Sequence, residues 1–179
     1  MIIDIQNDYF PGGRSELVGA DDAAARAAEV LAGFRERGEQ VVHLQHVWDA
    51  PDAEFFAPGT PGVEINPAVA PAGDEAVVQK AFPNGFQHTD LEERLRAGDA
   101  EQLVLCGMMT SMCVDASARA AADLGLRTTI AADACAAPDL RSGDELIPGA
   151  TVHKAFLSAL GSLVVDVRDT DAVVARDAG

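Results

Sequence analysis

Three residues suited to nucleophilic catalysis follow separate apolar segments of this 179-residue chain. Asp4 ends the segment MIID, Lys80 ends AVVQK, and Cys113 lies a few residues beyond QLVLC. A carboxylate can accept a proton and return it, a thiolate can attack a carbonyl carbon, and an ammonium can hold both negative charges in place. The sequence therefore predicts that Cys113 is a nucleophile, that Asp4 takes its proton and passes it to a leaving amine, and that Lys80 supports both.

The position of Cys113 in GMMTSMCVDASARAAADLG predicts an activated thiol. If Thr110 is the N-cap, Cys113 is the third residue of a helix and lies near its positive end. Such a position, with an ammonium nearby, lowers a thiol pKa from about 8.5 to roughly 3.5–7.5. Position alone does not separate this interpretation from a buried, unreactive cysteine. We interpret Cys106 and Cys135 as structural.

Lys80 and Asp4 also have ordinary structural interpretations. Lys80 could be a solvated lysine at a sheet edge, and Asp4 could cap the turn that follows its strand. Lys80 nevertheless stands out, because the chain has only two lysines and the other, Lys154, lies in a helical pattern. The argument for a catalytic group therefore depends on all three residues together.

The elements that would position these residues are short apolar runs alternating with helical patterns. This alternation predicts an α/β fold with parallel strands and helices on both faces. In such sheets ligands bind beyond the carboxyl ends of the strands, where Asp4, Lys80 and Cys113 all lie. The predicted strands are MIIDI, QVVHLQHV, AVVQK, QLVLC, LRTTIAA and LVVDV. The predicted helices are DDAAARAAEVLAGFRERG capped by Asp21 or Asp22, TDLEERLRAG capped by Thr89 or Asp90, the helix carrying Cys113, and PGATVHKAFLSALG.

Composition limits the classes of function. A chain of this length with 48% hydrophobic residues can bury one core, which predicts a single domain over residues 1–179. A net charge of −16 argues against nucleic acid as a partner. The apolar runs are too short to cross a bilayer and no secretory leader pattern begins the chain, so we expect a cytoplasmic protein with no membrane partner. Three cysteines without paired spacing indicate free thiols.

Three motifs together resemble the isochorismatase-like cysteine hydrolase family over nearly the whole chain. They are DIQNDYFPGG, VVQKAFPNGF and GMMTSMCVDASARAAADLG, in that order. The resemblance implies a six-stranded parallel sheet in three α/β/α layers, an isochorismatase-like fold. It also implies a catalytic triad at Asp4, Lys80 and Cys113, and a homo-oligomer, either a dimer or a tetramer. It further implies a cis peptide bond between Met108 and Met109, and an oxyanion hole made by the backbone N–H groups of Met109 and Cys113.

The residues also favour one branch of that family. Cys113 favours hydrolysis of amide or lactam C–N bonds over vinyl-ether hydrolysis of the isochorismatase type, which does not require the thiol. Related nicotinamidases carry a metal-binding Asp-x-His motif, whereas Asp49 is followed here by Ala50 and Pro51. His43 and His46 are three apart in a predicted strand, so they should face opposite sides and chelate poorly. We therefore predict no metal and no cofactor.

The substrate is predicted more coarsely. The motifs are similar to those of the metal-free amidase branch that includes streptothricin hydrolases, and the acidic surface would suit a cationic substrate. A non-catalytic member of the fold and a thiol redox sensor stay open as alternatives to a small-molecule amidase. About half of six aromatic residues on loops after strand ends should contact the substrate, while the rest fill the core. These residues are Tyr9, Trp48, Phe55, Phe56, Phe82 and Phe86.

Overall fold

A six-stranded parallel sheet forms the centre of the fold in a computed structural model that describes residues 1–175. The predicted domain extends to residue 179, so its last residues, 176–179, lie outside the described part of the chain. The strands in chain order are β1 (Ile2–Ile3), β2 (Val42–His46), β3 (Ala76–Lys80), β4 (Gln102–Met108), β5 (Arg127–Ala136), β6 (Leu140–Ser142), β7 (Glu145–Ile147) and β8 (Asp166–Arg168).

The spatial order of the sheet is β3-β2-β1-β4-β5-β8, and β6 and β7 form a separate antiparallel hairpin. The chain runs outward from β1 through β2 to β3, then crosses back to β4 on the other side of β1. The strand order thus reverses at β1. In open parallel sheets the crevice beyond the strand ends at such a point is the usual place for a ligand.

Helices cover both faces of this sheet. They are α1 (Ala20–Glu36), α2 (Leu91–Ala97), α3 (Asp115–Asp123), α4 (Gly149–Leu163) and α5 (Thr170–Val174). Ile2 and Ile3 are neighbours in β1 and point to opposite faces, and each belongs to a different buried cluster. The cluster around Ile2 includes residues of α1 and α5, and the cluster around Ile3 includes residues of α2, α3 and α4. The predicted α/β/α fold is confirmed. Across residues 1–175, no helix combines the length and the apolar character needed to span a bilayer.

The start of α1 differs from the sequence prediction. Asp21 and Asp22 were predicted as alternative N-caps, but Gly19 is the residue at the cap, with a φ of +79°. Glycine adopts this left-handed conformation without a steric penalty, so it turns the chain sharply into the helix. The two aspartates lie instead in the first helical turn, where their charge still complements the helix dipole.

Two further elements were not predicted from the sequence. The β6–β7 hairpin turns around Gly143, at a φ of +61°, and its three-residue strands are mostly exposed. Short exposed strands lack the alternating apolar pattern by which strands are recognised. The five-residue helix α5 is likewise too short to show a helical period.

The long loop of residues 48–74 is fastened to the segment that follows β1. The buried Asp8 carboxylate accepts hydrogen bonds from the backbone N–H of Phe56 at 2.6 Å and of Arg14 at 3.2 Å. Gly62 approaches that carboxylate so closely that a Cβ at this position would overlap it. The loop is therefore held against the carboxyl end of β1, beside the predicted active site.

Candidate active site

Neighbouring strands bring the predicted residues to one rim of the sheet. Asp4 follows β1 directly with a φ of +48°, and its N–H donates to Leu44 O of β2 at 3.1 Å. His46 ends β2 opposite Lys80, which ends β3. Cys113 lies beyond the end of β4 on the other side of β1. In the order of strands across the sheet, β1 with Asp4 thus lies between β3 with Lys80 and β4, which leads to Cys113.

The structure brings Asp4, Lys80 and Cys113 into direct contact. Lys80 Nζ lies 2.7 Å from Asp4 Oδ2 and 3.3 Å from Cys113 Sγ. Each of the three residues is at most 3% exposed. A buried ammonium paired with a carboxylate and a sulfur is costly to assemble, since each charge loses its hydration. Buried clusters of ionisable groups of this kind are typical of functional sites.

Cys113 lies in a π-helical turn, not in the first turn of an α-helix. The turn spans Thr110–Val114, and the N–H of Val114 donates to Met109 O, five residues back, at 3.2 Å. The prediction that Thr110 caps the helix and that Cys113 is its third residue is therefore wrong. A hydrogen bond of 2.9 Å joins Thr110 Oγ1 to His153 Nδ1 of α4 instead, which fastens the turn to that helix. The peptide bond between Met108 and Met109 is cis.

The electrostatics of the thiol also differ from the prediction. Burial raises the pKa of the Cys113 thiol above its usual value, and the nearby Asp4 charge raises it further, while Lys80 opposes both. Burial likewise raises the pKa of the Asp4 carboxyl, against the effect of Lys80. This direction runs against the predicted resting thiolate, because desolvation in this closed site outweighs the single ammonium. A thiol with a raised pKa needs a nearby base to take its proton before or as it reacts.

Asp4 is available to receive that proton. Among the described residues, neither of its carboxylate oxygens accepts a hydrogen bond of regular geometry, although Lys80 forms an ion pair with Oδ2. One ligand atom each of Asp4, His46 and Cys113 lie within 4.8 Å of one another, so the thiol is within reach of the carboxylate. A carboxylate with unused lone pairs next to a thiol can act as a general base.

His46 is a member of the site that the sequence analysis missed. Its Nδ1 lies 3.1 Å from Lys80 Nζ and 3.9 Å from Cys113 Sγ. Burial, together with the Lys80 charge, lowers the pKa of His46 to about 4, so the imidazole is neutral at neutral pH. The sequence argument tested His43 and His46 only as a chelating pair. The available signal was that His46 lies one residue before the end of the predicted strand QVVHLQHV, on the same rim as Lys80 at the end of AVVQK.

His43 and His46 make separate contacts, as expected for side chains on opposite sides of a strand. His43 Nε2 lies 2.9 Å from Glu75 Oε2, in contacts separate from those of His46. Asp4, His46 and Cys113 form the one group of three potential metal ligands in the part of the chain that the structure describes. The Lys80 ammonium lies 2.7 to 3.3 Å from atoms of all three, and its charge opposes a metal cation there. The donor set therefore fits an ammonium better than a metal ion, and the absence of a metal stays a prediction.

The six aromatic residues do not form one wall. Tyr9 and Phe56 are at most 1% exposed and pack edge to face with their ring centroids 4.7 Å apart, and Phe55 and Trp48 extend this cluster. Phe86 packs in the cluster on the other side of the sheet. Phe82 is 40% exposed and lines a cavity of about 270 Å³ that reaches Lys80. Phe82 thus lies beside the site.

Comparisons with known proteins agree with this geometry. Residues 1–172 match the Isochorismatase domain family. The chain is 42% identical over 172 residues to the isochorismatase family protein YddQ of Bacillus subtilis, covering 96% of each chain. It is 34% identical over 167 residues to a streptothricin hydrolase of Streptomyces noursei, covering 92% of this chain and 59% of that protein. A crystal structure from Oleispira antarctica assigned as an isochorismatase hydrolase is 44% identical, with a TM-score of 0.94 and coverage of 97% of this chain and 94% of that one.

Proposed function

Because this chain belongs to the isochorismatase family, we propose that it cleaves an amide or lactam bond of a small molecule through a covalent Cys113 intermediate. It is a hydrolase acting on carbon–nitrogen bonds other than peptide bonds. The observation that carries the proposed mechanism is the Lys80 ammonium, which contacts both the Asp4 carboxylate, at 2.7 Å, and the Cys113 sulfur, at 3.3 Å.

The first half of the reaction transfers the acyl group to sulfur. Cys113 Sγ attacks the carbonyl carbon while its proton moves to Asp4. The raised pKa of the Asp4 carboxyl favours this transfer, because the protonated acid is then an acceptable product. Asp4 next gives the proton to the leaving nitrogen as the C–N bond breaks. The products of this half are an amine and a thioester on Cys113.

The second half regenerates the enzyme. Asp4, again a carboxylate, accepts a proton from water, and the resulting hydroxide oxygen attacks the thioester carbon. The C–S bond breaks, the carboxylic acid leaves, and the sulfur recovers the proton from Asp4. Lys80 keeps its positive charge throughout and stabilises whichever of the two partners carries the negative charge.

The oxyanion of each tetrahedral intermediate requires hydrogen-bond donors. We assign the backbone N–H groups of Met109 and Cys113 to this role, since both belong to the segment that carries the nucleophile. Removing one such donor typically lowers the rate by roughly 100- to 1000-fold.

The proposed substrate carries a positive charge beyond its scissile bond. A cavity at the edge of the site is lined by Lys80, Phe82, Asp49, Gln87 and His88, and not by Asp4 or Cys113. It offers an aromatic face and a carboxylate to a part of the substrate away from the scissile bond. The net charge of −16 would attract such a molecule, and one relative is a streptothricin hydrolase. A cationic lactam satisfies these features better than a neutral aromatic amide.

The test is hydrolysis of a panel of cationic lactams and neutral aromatic amides by the wild-type protein and by Cys113→Ala. We expect turnover of at least one cationic lactam, no turnover by the variant, and a mass increase on Cys113 when a slow substrate is trapped. Full turnover by Cys113→Ala would overturn the thiol mechanism. Equal inertness towards the whole panel would overturn the proposed substrate class.

A further inference from the structure

The Lys80 ammonium has four polar neighbours, three that accept its hydrogen bonds and Asp4, with which it forms an ion pair without regular hydrogen-bond geometry. Asp4 Oδ2 lies at 2.7 Å, Phe82 O at 3.0 Å, His46 Nδ1 at 3.1 Å and Cys113 Sγ at 3.3 Å. An ammonium carries three N–H donors and no acceptor. The three protons therefore serve Phe82 O, His46 Nδ1 and Cys113 Sγ, and Asp4 is held by charge.

The state of His46 follows from the same chemistry. An ammonium can only donate, so His46 Nδ1 must accept, and the hydrogen of the neutral ring is on Nε2. The lowered pKa of His46, about 4, agrees with a neutral ring. A neutral acceptor can hold an ammonium N–H without changing the charge of the site.

The backbone of His46 is itself fixed by a buried side chain. The His46 N–H donates to Gln6 Oε1 at 2.8 Å, and Gln6 Nε2 donates to His46 O at 2.9 Å and to Val63 O at 2.7 Å. Gln6 is fully buried, and its amide takes the place of a strand neighbour beyond the end of β1. The imidazole therefore projects from a backbone segment that is held on both its N–H and its C=O by Gln6.

We infer that His46 is a positioning residue that, together with the Phe82 carbonyl, holds two of the three Lys80 N–H groups throughout the reaction. The third N–H is then left to Cys113. As the thiol proton moves to Asp4, the negative charge moves to the sulfur, so the hydrogen bond of this N–H to Sγ strengthens while the ion pair with Oδ2 is lost. The ammonium itself stays in place. The inference rests on the proposed function for its role in catalysis, but the contacts that it assigns to Lys80 can be tested without a substrate.

The test observes Lys80 directly. With ¹⁵N-lysine labelling the chain has two side-chain signals, Lys80 and Lys154, and the variants are His46→Leu, His46→Asn and His46→Gln. Asn places an amide oxygen near the position of Nδ1, whereas Gln places its amide near the position of Nε2. We expect the Lys80 ammonium protons to exchange with water about 10-fold faster or more in the Leu and Gln variants, and within about threefold of wild type in the Asn variant.

The same pattern is expected in kinetics on a substrate identified by the panel. The Leu and Gln variants should lose about 10- to 100-fold in kcat with little change in KM, and Asn should recover most of that loss. The inference would be overturned if the Lys80 ammonium protons exchanged faster in His46→Asn than in His46→Gln, or if their exchange were unchanged in all three variants. Equal acceleration in all three would also overturn it, since that is the result of a merely structural role. Lys154 is the internal control, and inertness of the wild type towards every substrate would count against the proposed function alone.

Discussion

The chemistry of the site depends on how one buried positive charge is shared. Burial raises the pKa of both Asp4 and Cys113, and the Lys80 ammonium opposes this rise at each of them. A free low-pKa thiolate would be a weaker nucleophile than one formed as it attacks, because nucleophilicity falls with pKa. A thiol of raised pKa next to an available base is therefore consistent with acyl transfer.

Replacing Asp4 should separate thiol reactivity from turnover. In Asp4→Asn the carboxylate charge that raises the pKa of Cys113 is gone, so alkylation by iodoacetamide at pH 7 to 8 should become faster. Turnover should fall by about 100- to 10,000-fold because the general base is lost. Intact-mass labelling across pH, with a substrate assay on the same samples, measures both.

Replacing Lys80 should have the opposite effect on labelling. Lys80→Met removes the charge that lowers the pKa of Cys113, so alkylation at neutral pH should slow while turnover is also lost. Labelling that changes in the same direction in both variants would contradict the assigned electrostatics. Cys113→Ala serves as the control for labelling of Cys106, whose pKa burial raises to about 11.

The strands and loops position these groups through a few buried polar side chains. Gln6 joins the segment after β1 to the end of β2 and to the long loop at Val63, and Asp8 fastens the same loop at Phe56. Both side chains act where regular strand pairing has ended and backbone groups need other partners. The geometry of the rim therefore depends on two residues outside the proposed triad.

Gln6→Met should destabilise the protein by about 3 kcal/mol. The substitution removes the Gln6 partner of the His46 N–H and C=O, and each group left unsatisfied costs about 1–3 kcal/mol when water cannot replace it. Val63 O keeps the hydrogen bond from Gln45 Nε2 at 3.0 Å. Urea unfolding measures the change. Gln102→Met, at an exposed position on β4, is the matched control and should alter stability by less than about 0.5 kcal/mol. A similar loss in both variants would refute the role of Gln6.

The whole molecule is strongly acidic, and three of its histidines are buried or half-buried. Burial lowers the pKa of His43, His46 and His153, His46 to about 4. The fold thus favours their neutral forms, while the unfolded chain can protonate them near pH 6.5. Acid therefore favours the unfolded state through these residues. The carboxylates act in the other direction, since protonation near the pI of about 4.4 relieves charge repulsion.

These two effects can be separated by salt. In 0.5 M NaCl, which screens the surface repulsion, the free energy of unfolding should fall as the pH is lowered from 6.5 towards about 4, because the folded chain binds fewer protons than the unfolded chain in this window. At pH 7 the same salt should raise stability above its value at low salt, since the net charge is −16. Urea titrations at several pH values measure both changes. Stability that rises between pH 6.5 and 5 at high salt would contradict the assigned histidine states.

Assembly and location stay predictions. A dimer or tetramer would give a light-scattering mass of two or four times the 18.7 kDa of one chain, and a mass of one chain at micromolar concentration would contradict it. The expected cytoplasmic location can be checked by fractionation of the native host.

Much of the fold could be predicted from the sequence because its signals are local. The β2, β3 and β4 segments are apolar runs, α1 and α4 have helical periods, and parallel strands put their carboxyl ends on one edge. That reasoning brought Asp4, Lys80 and Cys113 to a common rim. It could not find the cap at Gly19 or the π-helical turn, since these depend on how the chain meets neighbouring elements.

The sequence by itself determined which thiol, carboxylate and ammonium are available and that each follows a strand. Only the tertiary structure decided how they behave. Burial of the rim reversed the predicted direction of the Cys113 pKa, and the register of β2 against β3 placed His46 beside Lys80. The physical reason is that desolvation and charge interactions act across a few ångströms of space between residues that are dozens of positions apart in the chain.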